Sequence, residues 1–158
     1  MLEYDIYIGS LDNRDCNTTV DYIEMKSFEK QFTVPFYDLD PMQVVWHGNY
    51  LKYFDTTREA FCYERGFDPA AYYKKTKILL PIVKTSTKHI VSLRHRDQFS
   101  CKATLKEARY KIVVDFEIRL NNNRILCARG RSEQVAVKYP ETEILFEIPD
   151  DIRKTLGF

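Results

Sequence analysis

Apolar and polar residues alternate along much of the chain, and this alternation predicts β-strands. The first predicted strand begins near Gln31, and its apolar face would carry Phe32, Val34 and Phe36. The second half of the chain contains four further strand-like segments, at about 82–95, 99–105, 111–120 and 125–137. Because each of these strands has one apolar face, they predict an antiparallel sheet that is covered on one side.

A helical spacing of apolar residues replaces this alternation over residues 49–65. The segment contains no proline or glycine, and Gly66 directly after it is a typical stop signal. Its apolar side chains cover more than one face, which is expected of a helix that a sheet surrounds. Shorter helices are predicted from Asp68-Pro69 to about Lys75 and over residues 148–156.

The predicted order is a strand, a long helix and then a run of antiparallel strands joined by short turns. Asn121, Asn122 and Asn123 favour one of these turns, because asparagine tolerates the positive φ angles of a hairpin. The one-sided sheet must be covered, and only the helix at 49–65 is long enough to cover it. We therefore predict an α+β fold of the hot-dog kind, an antiparallel sheet wrapped around one long central helix.

Composition divides the chain into two predicted regions. Its 158 residues correspond to one typical domain, and a hydrophobic content of 44% argues against disorder. Residues 1–27 hold six acidic and two basic residues and have no sustained period, so we interpret them as an acidic N-terminal extension. Residues 28–158 are then predicted to form a single domain.

The net charge of +1 conceals a basic middle. Residues 28–139 hold twenty basic and twelve acidic residues, whereas residues 140–158 hold five acidic and two basic ones. A positive body can attract an anionic ligand, although an ordinary solvated surface is the alternative interpretation. Binding of nucleic acid is disfavoured, because the aromatic residues lie in core patterns and are not interleaved with the basic ones.

Several functional classes are excluded by spacing. The five glycines have no nucleotide-binding arrangement. The four cysteines, at positions 16, 62, 101 and 127, are too far apart for a typical zinc motif. No signal peptide is recognisable, and the longest apolar stretch has six residues, at 78–83, where a membrane helix needs about 20. We expect a reduced, cytoplasmic protein without a membrane span.

The segment 38–50 combines acidic loop residues with the start of the long helix. Asp38 and Asp40 lie in the loop, and His47 directly precedes the helix. The N–H groups and positive dipole end of a helix start can polarise a carbonyl, which a nearby carboxylate can attack directly or through water. Alternatively, the aspartates cap a turn and His47 is structural. An Asp/Asp/His metal site is disfavoured, because no third strong ligand lies nearby.

The segment from Phe36 to Tyr50 resembles the signature of the 4-hydroxybenzoyl-CoA thioesterase-like family of hot-dog acyl-CoA thioesterases. In that family a strand ends in Asp-x-Asp-Pro, and a short hydrophobic link leads to an aromatic residue or His and then to Asn-Tyr at the helix start. Phe54 and Arg58 also match the family's helix pattern. The resemblance extends over about residues 29–138, and it implies hydrolysis of an acyl-CoA or acyl-carrier-protein thioester to the free acid and the thiol.

The resemblance also implies roles for single residues. Asp40 matches the catalytic carboxylate, which attacks the thioester carbonyl or activates water, and Asp38 matches a residue that forms the loop. His47 matches the position whose backbone N–H polarises the carbonyl. Substrate-binding residues are expected at the same helix start, where Asn49 and Tyr50 would act mainly through the local structure and Trp46 could instead belong to the core.

The family uses no metal and no redox cofactor, and its active sites lie at a dimer interface. The resemblance therefore implies a homodimer or homotetramer and no cofactor other than the coenzyme A of the substrate. The phosphates of coenzyme A are usually held by surface Lys and Arg residues. The candidates here are Lys88, Arg94 and Arg96, with the pair Arg129 and Arg131 as a further possibility.

The sequence departs from the family pattern after the second aspartate, where Met42-Gln43 replaces small residues, so the aromatic substrate of the namesake is in doubt. A second hot-dog branch places the acid further along the helix, as Asp55 or Glu59 would be, but its Gly-Gly is absent and we prefer Asp40. Two other functions stay open at this point. They are a hot-dog dehydratase and a non-catalytic module that binds acyl thioesters.

Overall fold

The structure, a computed structural model, describes residues 26–158. The predicted acidic extension therefore lies outside the described residues, apart from its last two positions. The described part of the chain contains eight strands: β1 Ser27–Thr33, β2 Ile78–Leu79, β3 Ile82–His89, β4 Gln98–Glu107, β5 Ile112–Leu120, β6 Leu126–Gln134, β7 Val137–Lys138 and β8 Glu143–Ile144. The α-helices among these residues are α1 Asn49–Glu64, α2 Pro69–Thr76 and α3 Asp150–Thr155.

Five of the strands form one antiparallel sheet in the order β1-β4-β5-β6-β3. The alternation that predicted β4 and β5 is observed as burial, because the inward side chains of these two strands are inaccessible to solvent. They are Phe99, Cys101, Ala103, Leu105, Ile112, Val114, Phe116 and Ile118. The short strands β2, β7 and β8 form a second, three-stranded sheet.

Helix α1 lies against one face of the larger sheet. Tyr53 packs on the rings of Phe32 in β1 and Phe99 in β4, with ring centroids 5.3 and 4.9 Å apart. Phe54 stacks on Phe116 of β5 at 4.6 Å. Gly130 of β6 must lack a side chain, because a Cβ atom there would lie 2.2 Å from the ring of Phe54. The sheet thus encloses the helix, which confirms the predicted α+β hot-dog fold.

Helix boundaries follow the signals in the sequence. Helix α1 ends at Glu64, and Gly66 adopts the left-handed conformation (φ 73°) that favours glycine after a helix. Helix α2 begins at Pro69, and the Asp68 carboxylate accepts hydrogen bonds from the N–H groups of Ala70 and Ala71. All three predicted helices are present.

The first strand differs from its prediction. It begins at Ser27, before Gln31, and it ends at Thr33. Phe36 was expected on the apolar face but lies in a 3-10 turn, where 69% of its surface is exposed. Pro35 interrupts the strand because it has no N–H for the ladder.

Two further expectations need correction in the second half. The predicted last strand is divided between two sheets, because β6 ends at Gln134 and the next paired residues belong to β7 in the small sheet. In the β5–β6 turn the positive φ (57°) belongs to Arg124, and no asparagine of the preceding triple adopts one. Asn123 acts instead through its side chain, which accepts a hydrogen bond from the N–H of Ile125.

Within residues 26–158 no helix is long and apolar enough to cross a membrane. The three cysteines of this part of the chain, Cys62, Cys101 and Cys127, are free thiols.

Candidate active site

The loop before α1 folds back on itself as a tight hairpin. The N–H of Trp46 donates to the carbonyl of Asp38 at 2.9 Å, and the N–H of Asp40 donates to the carbonyl of Val44 at 2.8 Å. Between these bonds Leu39 forms an isolated antiparallel bridge with Val45. This pairing brings the two aspartates next to the residues that lead directly into the helix.

Asp40 lies at the tip of this hairpin and is half-buried. Its Oδ1 accepts hydrogen bonds from the N–H groups of Met42 (2.8 Å) and Val44 (3.4 Å), so one carboxylate oxygen caps the turn. Gln43 completes the turn in the left-handed conformation, with φ 62°. The other oxygen, Oδ2, has no hydrogen-bond partner among the described residues. Asp40 therefore caps the turn, as the alternative interpretation of the sequence expected, and it also has one carboxylate oxygen available for chemistry.

Asp38 has the opposite character, because its carboxylate is buried and used entirely within the protein. Only 2% of the residue is exposed. Oδ1 forms an ion pair with Nζ of Lys52, and Oδ2 accepts a hydrogen bond of 2.6 Å from the hydroxyl of Tyr53. Burial first, and this carboxylate second, raise the pKa of Tyr53. These contacts fasten the loop to α1, which fits the loop-forming role expected of Asp38.

The start of α1 has two backbone N–H groups that donate to no other described residue, those of His47 and Gly48. The next three N–H groups are paired, because those of Asn49, Tyr50 and Leu51 donate to carbonyls three residues earlier. A helix start carries a partial positive charge. The unpaired donors can therefore bind an anionic or partly negative oxygen.

Trp46 forms a wall beside these donors and is not a core residue, since half of its surface is exposed. Its ring covers Gly48, where a Cβ atom would lie 2.2 Å from the indole carbons. The position of the indole thus requires glycine at 48. The exposed side of the ring is available to a ligand.

Asn49 and Tyr50 are occupied by contacts within the protein. The side-chain N–H of Asn49 donates to the carbonyl of Asp38 at 2.9 Å. Tyr50 is buried, its hydroxyl accepts a hydrogen bond of 3.4 Å from the N–H of Leu93, and burial raises the pKa of this hydroxyl. The two residues hold the helix start against the hairpin and the β3–β4 loop, as expected of a mainly structural pair. A direct contact with substrate stays a prediction.

The predicted phosphate-binding cations do not lie together. Arg94 and Arg96 are exposed in the β3–β4 loop beside Leu93, whose carbonyl accepts the N–H of Val45 from the hairpin at 2.9 Å. Lys88 pairs with Arg129 across β3 and β6, on the sheet face opposite α1. None of the three predicted cations has an ion-pair partner among the described residues.

The further pair of cations is neutralised on the outer face of the sheet. Arg129 forms an ion pair with Glu117 at 3.2 Å, and Arg131 forms one with Asp115 at 2.6 Å. These two arginines are therefore weaker candidates for phosphate than the two in the β3–β4 loop.

No group of three or more His, Cys, Asp or Glu side chains in residues 26–158 is arranged to hold a metal ion. The absence of a cofactor stays a prediction from the resemblance.

Comparison with protein families gives a match over residues 34–156 to the family described as the Thioesterase-like superfamily. This span contains the hairpin, α1 and all strands except the first. The chain belongs to the Thioesterase-like superfamily. A search of curated protein sequences finds no match.

Solved structures of named thioesterases have the same fold as this superfamily member. A 1,4-dihydroxy-2-naphthoyl-CoA thioesterase from Synechocystis is similar with a TM-score of 0.77 and 19% identity, over 82% of this chain and 95% of that chain. The 4-hydroxybenzoyl-CoA thioesterase from Pseudomonas sp. strain CBS-3 gives a TM-score of 0.75 and 21% identity, over 82% and 99%. A probable thioesterase from Escherichia coli gives 0.70 and 17%, over 81% and 95%. The family match and the shared fold support thioester hydrolysis as the general reaction of this chain.

One neighbour of the helix start was not predicted from the sequence. His89, at the end of β3, packs edge-on against the ring of Tyr50 with centroids 4.6 Å apart. Burial, and then the nearby His47, lower the pKa of His89. No local signal could have identified this histidine, because 42 positions separate it from His47 and only the sheet brings them together. The lowered pKa disfavours the charged form of this ring beside the start of α1.

Proposed function

We propose that this protein hydrolyses acyl-CoA thioesters to the free acid and coenzyme A, with Asp40 as the reacting carboxylate. The observation that carries the proposal is the state of that carboxylate. One oxygen is fixed by two backbone N–H groups and the other has no partner among the described residues. A group held in this way is oriented without being neutralised, as a nucleophile or a general base must be.

The helix start supplies the complementary half of the reaction. The thioester carbonyl oxygen accepts a hydrogen bond from the unpaired N–H of His47. The unpaired N–H of Gly48, the next residue, is a second donor at the same helix start. As Asp40 or an Asp40-activated water adds to the carbonyl carbon, negative charge develops on the oxygen and these donors stabilise it. The carbon–sulfur bond then breaks and the thiolate leaves and takes up a proton. If Asp40 attacks directly, water hydrolyses the resulting acyl anhydride.

Coenzyme A is preferred to a carrier protein as the thiol carrier. Arg94 and Arg96 are exposed beside the catalytic hairpin and have no carboxylate partner among the described residues. Two such cations suit the phosphates of the nucleotide, since arginine binds phosphate bidentately. The 1,4-dihydroxy-2-naphthoyl-CoA and 4-hydroxybenzoyl-CoA thioesterases of the same fold are also named for coenzyme A esters.

A dimer is part of the proposal. Strand β3 ends the sheet, and its outer edge has no pairing partner in residues 26–158. Its side chains are largely exposed, including Val83 at 53%. Exposed apolar residues also surround the hairpin, with Phe36, Tyr37 and Met42 all more than two-thirds exposed. An open sheet edge and such a patch are features that a second subunit covers.

Thiol release from a panel of acyl-CoAs tests this function. We expect the purified protein to release thiol from at least one member of the panel. The matching acyl-pantetheine lacks the nucleotide and cannot contact Arg94 and Arg96 through it. Its KM should therefore be higher than that of the acyl-CoA. The reaction would be excluded if no acyl-CoA released thiol. Equal KM values for the two substrates would exclude the assignment of the nucleotide to these arginines.

A further inference from the structure

A cavity of about 1030 Å³ lies beside α1, between that helix, α2 and strand β2. Ligand pockets usually have volumes of about 300–1,000 Å³, so this cavity is at the upper end of the range. None of the residues preferred from the sequence for catalysis or substrate binding lines it, although Asp55 and Glu59, the alternative acids on α1, do. The proposed reaction therefore leaves a large internal space without a role.

The wall of the cavity is apolar on the inside and charged at the rim. The apolar side chains come from α1, the β2 region and the ends of β4 and β5, and they include Phe61, Leu80, Leu105, Ile112 and Val114. The rim consists of two cations and two anions of α1, Lys52, Arg58, Asp55 and Glu59. Lys52 is paired with Asp38 and Arg58 with Asp55 (3.0 Å), whereas Glu59 is an exposed charge and Nη1 of Arg58 is buried without a hydrogen-bond partner among the described residues. Because the inner wall is mainly apolar, the cavity favours an uncharged ligand that is largely apolar.

One residue, Lys52, links the lining of the cavity to the hairpin. This side chain lines the cavity, and its ammonium group forms the ion pair with Asp38 in the hairpin. Tyr63 also lines the cavity and lies eleven residues further along α1. At 1.5 Å per residue the lining therefore extends roughly 16 Å along the helix axis. An acyl chain that enters the cavity at its Lys52 end would therefore lie along α1.

We propose that the cavity binds the acyl group of the substrate, and that this group is a long, uncharged aliphatic chain. The inference rests on the proposed function and extends it to the class of substrate. It also gives a reason for the departure from small residues at Met42-Gln43. A protein that accommodates its acyl group along α1 does not need the space that small residues leave behind the second aspartate.

The first test is the dependence of kcat/KM on chain length for unbranched saturated acyl-CoAs, from butanoyl to octadecanoyl. Burial of one methylene group is worth about fourfold in binding. We expect kcat/KM to rise by up to about fourfold per added methylene and to level off once the cavity is filled. Benzoyl-CoA should react more slowly than the best of these chains. A flat profile, or a preference for benzoyl-CoA over every aliphatic chain, would overturn the assignment.

A pair of neighbouring alanines provides the variant and its control. Ala70 lines the cavity and Ala71 does not, yet both are exposed in the first turn of α2 and both donate to Asp68. Ala70→Trp should fill part of the cavity, raise KM for the longest chains at least tenfold and leave short chains unaffected. Ala71→Trp should preserve the wild-type profile. If the two variants had the same dependence of KM on acyl-chain length, the acyl chain would bind outside this cavity.

A binding measurement separates this inference from the hydrolysis it rests on. S-alkyl thioethers of coenzyme A cannot be cleaved, and calorimetry reports their affinity without turnover. Affinity that rises with alkyl length and falls in Ala70→Trp supports the cavity even if no thioester is cleaved. If the protein cleaves thioesters but its affinity for the thioethers does not depend on alkyl length, hydrolysis is supported and the cavity is excluded as the acyl-binding site.

Discussion

At the scale of single residues, two aspartates only two positions apart have different physical tasks. Asp38 is buried, and both of its carboxylate oxygens have partners on α1. Asp40 is half-buried and has one oxygen without a partner among the described residues. The Asp-x-Asp-Pro pattern alone does not reveal this difference. It depends on Lys52 and Tyr53, which lie more than ten positions away on α1.

The different tasks of the two aspartates predict different effects on stability. Asp38→Asn removes the charge that binds Lys52 and Tyr53, so we expect the free energy of unfolding to fall by about 2 kcal/mol, as for hydrogen bonds to charged groups. Asp40→Asn keeps a carbonyl oxygen for the N–H groups of Met42 and Val44 and should change stability by less than about 0.5 kcal/mol. Urea unfolding of the wild-type protein and both variants measures these changes in the free energy of unfolding. Equal stabilities would contradict the role of Asp38 as the residue that fastens the loop.

At the scale of secondary-structure elements, the sequence was sufficient wherever a regular period and a clear stop coincide. The strict alternation over Phe99 to Leu105 predicted β4, and the helical spacing with Gly66 behind it predicted α1. The predicted strand boundaries were wrong where tertiary contacts determine which strands pair. The chain leaves β6 at Gln134 and joins a second sheet at Val137, three residues later, although the local pattern continues as one strand.

The candidate site was only partly predictable for the same reason. The hairpin and helix start carry a local motif, so Asp38, Asp40 and His47 could be recognised within one segment. The contact of His89 with Tyr50 depends on the pairing of β3 with β6. The separation of Lys88 from Arg94 and Arg96 depends on which sheet face a strand residue occupies. Neither property has a signal in the surrounding sequence.

At the scale of the whole molecule, the open edge of β3 predicts self-association. Light scattering should give at least a dimer for the purified protein. Val83→Glu places a charge on β3, where the side chain is already exposed in the single subunit, and should weaken the dimer without unfolding it. Ile144→Glu is the matched control, because this residue is 65% exposed on β8 in the other sheet. A monomeric wild-type protein, or equal dissociation in both variants, would exclude β3 as the interface.

The central claim is that the Asp40 carboxylate reacts at the thioester carbonyl, and the activity of Asp40→Asn tests it most directly. The variant keeps the acceptor for the turn but loses the nucleophile or base, so kcat for the best acyl-CoA should fall by about 10² to 10⁴. Asp115→Asn, which loses only the exposed ion pair with Arg131 on the outer sheet face, should retain wild-type kcat. If a folded Asp40→Asn protein released thiol as fast as Asp115→Asn, the mechanism would be wrong.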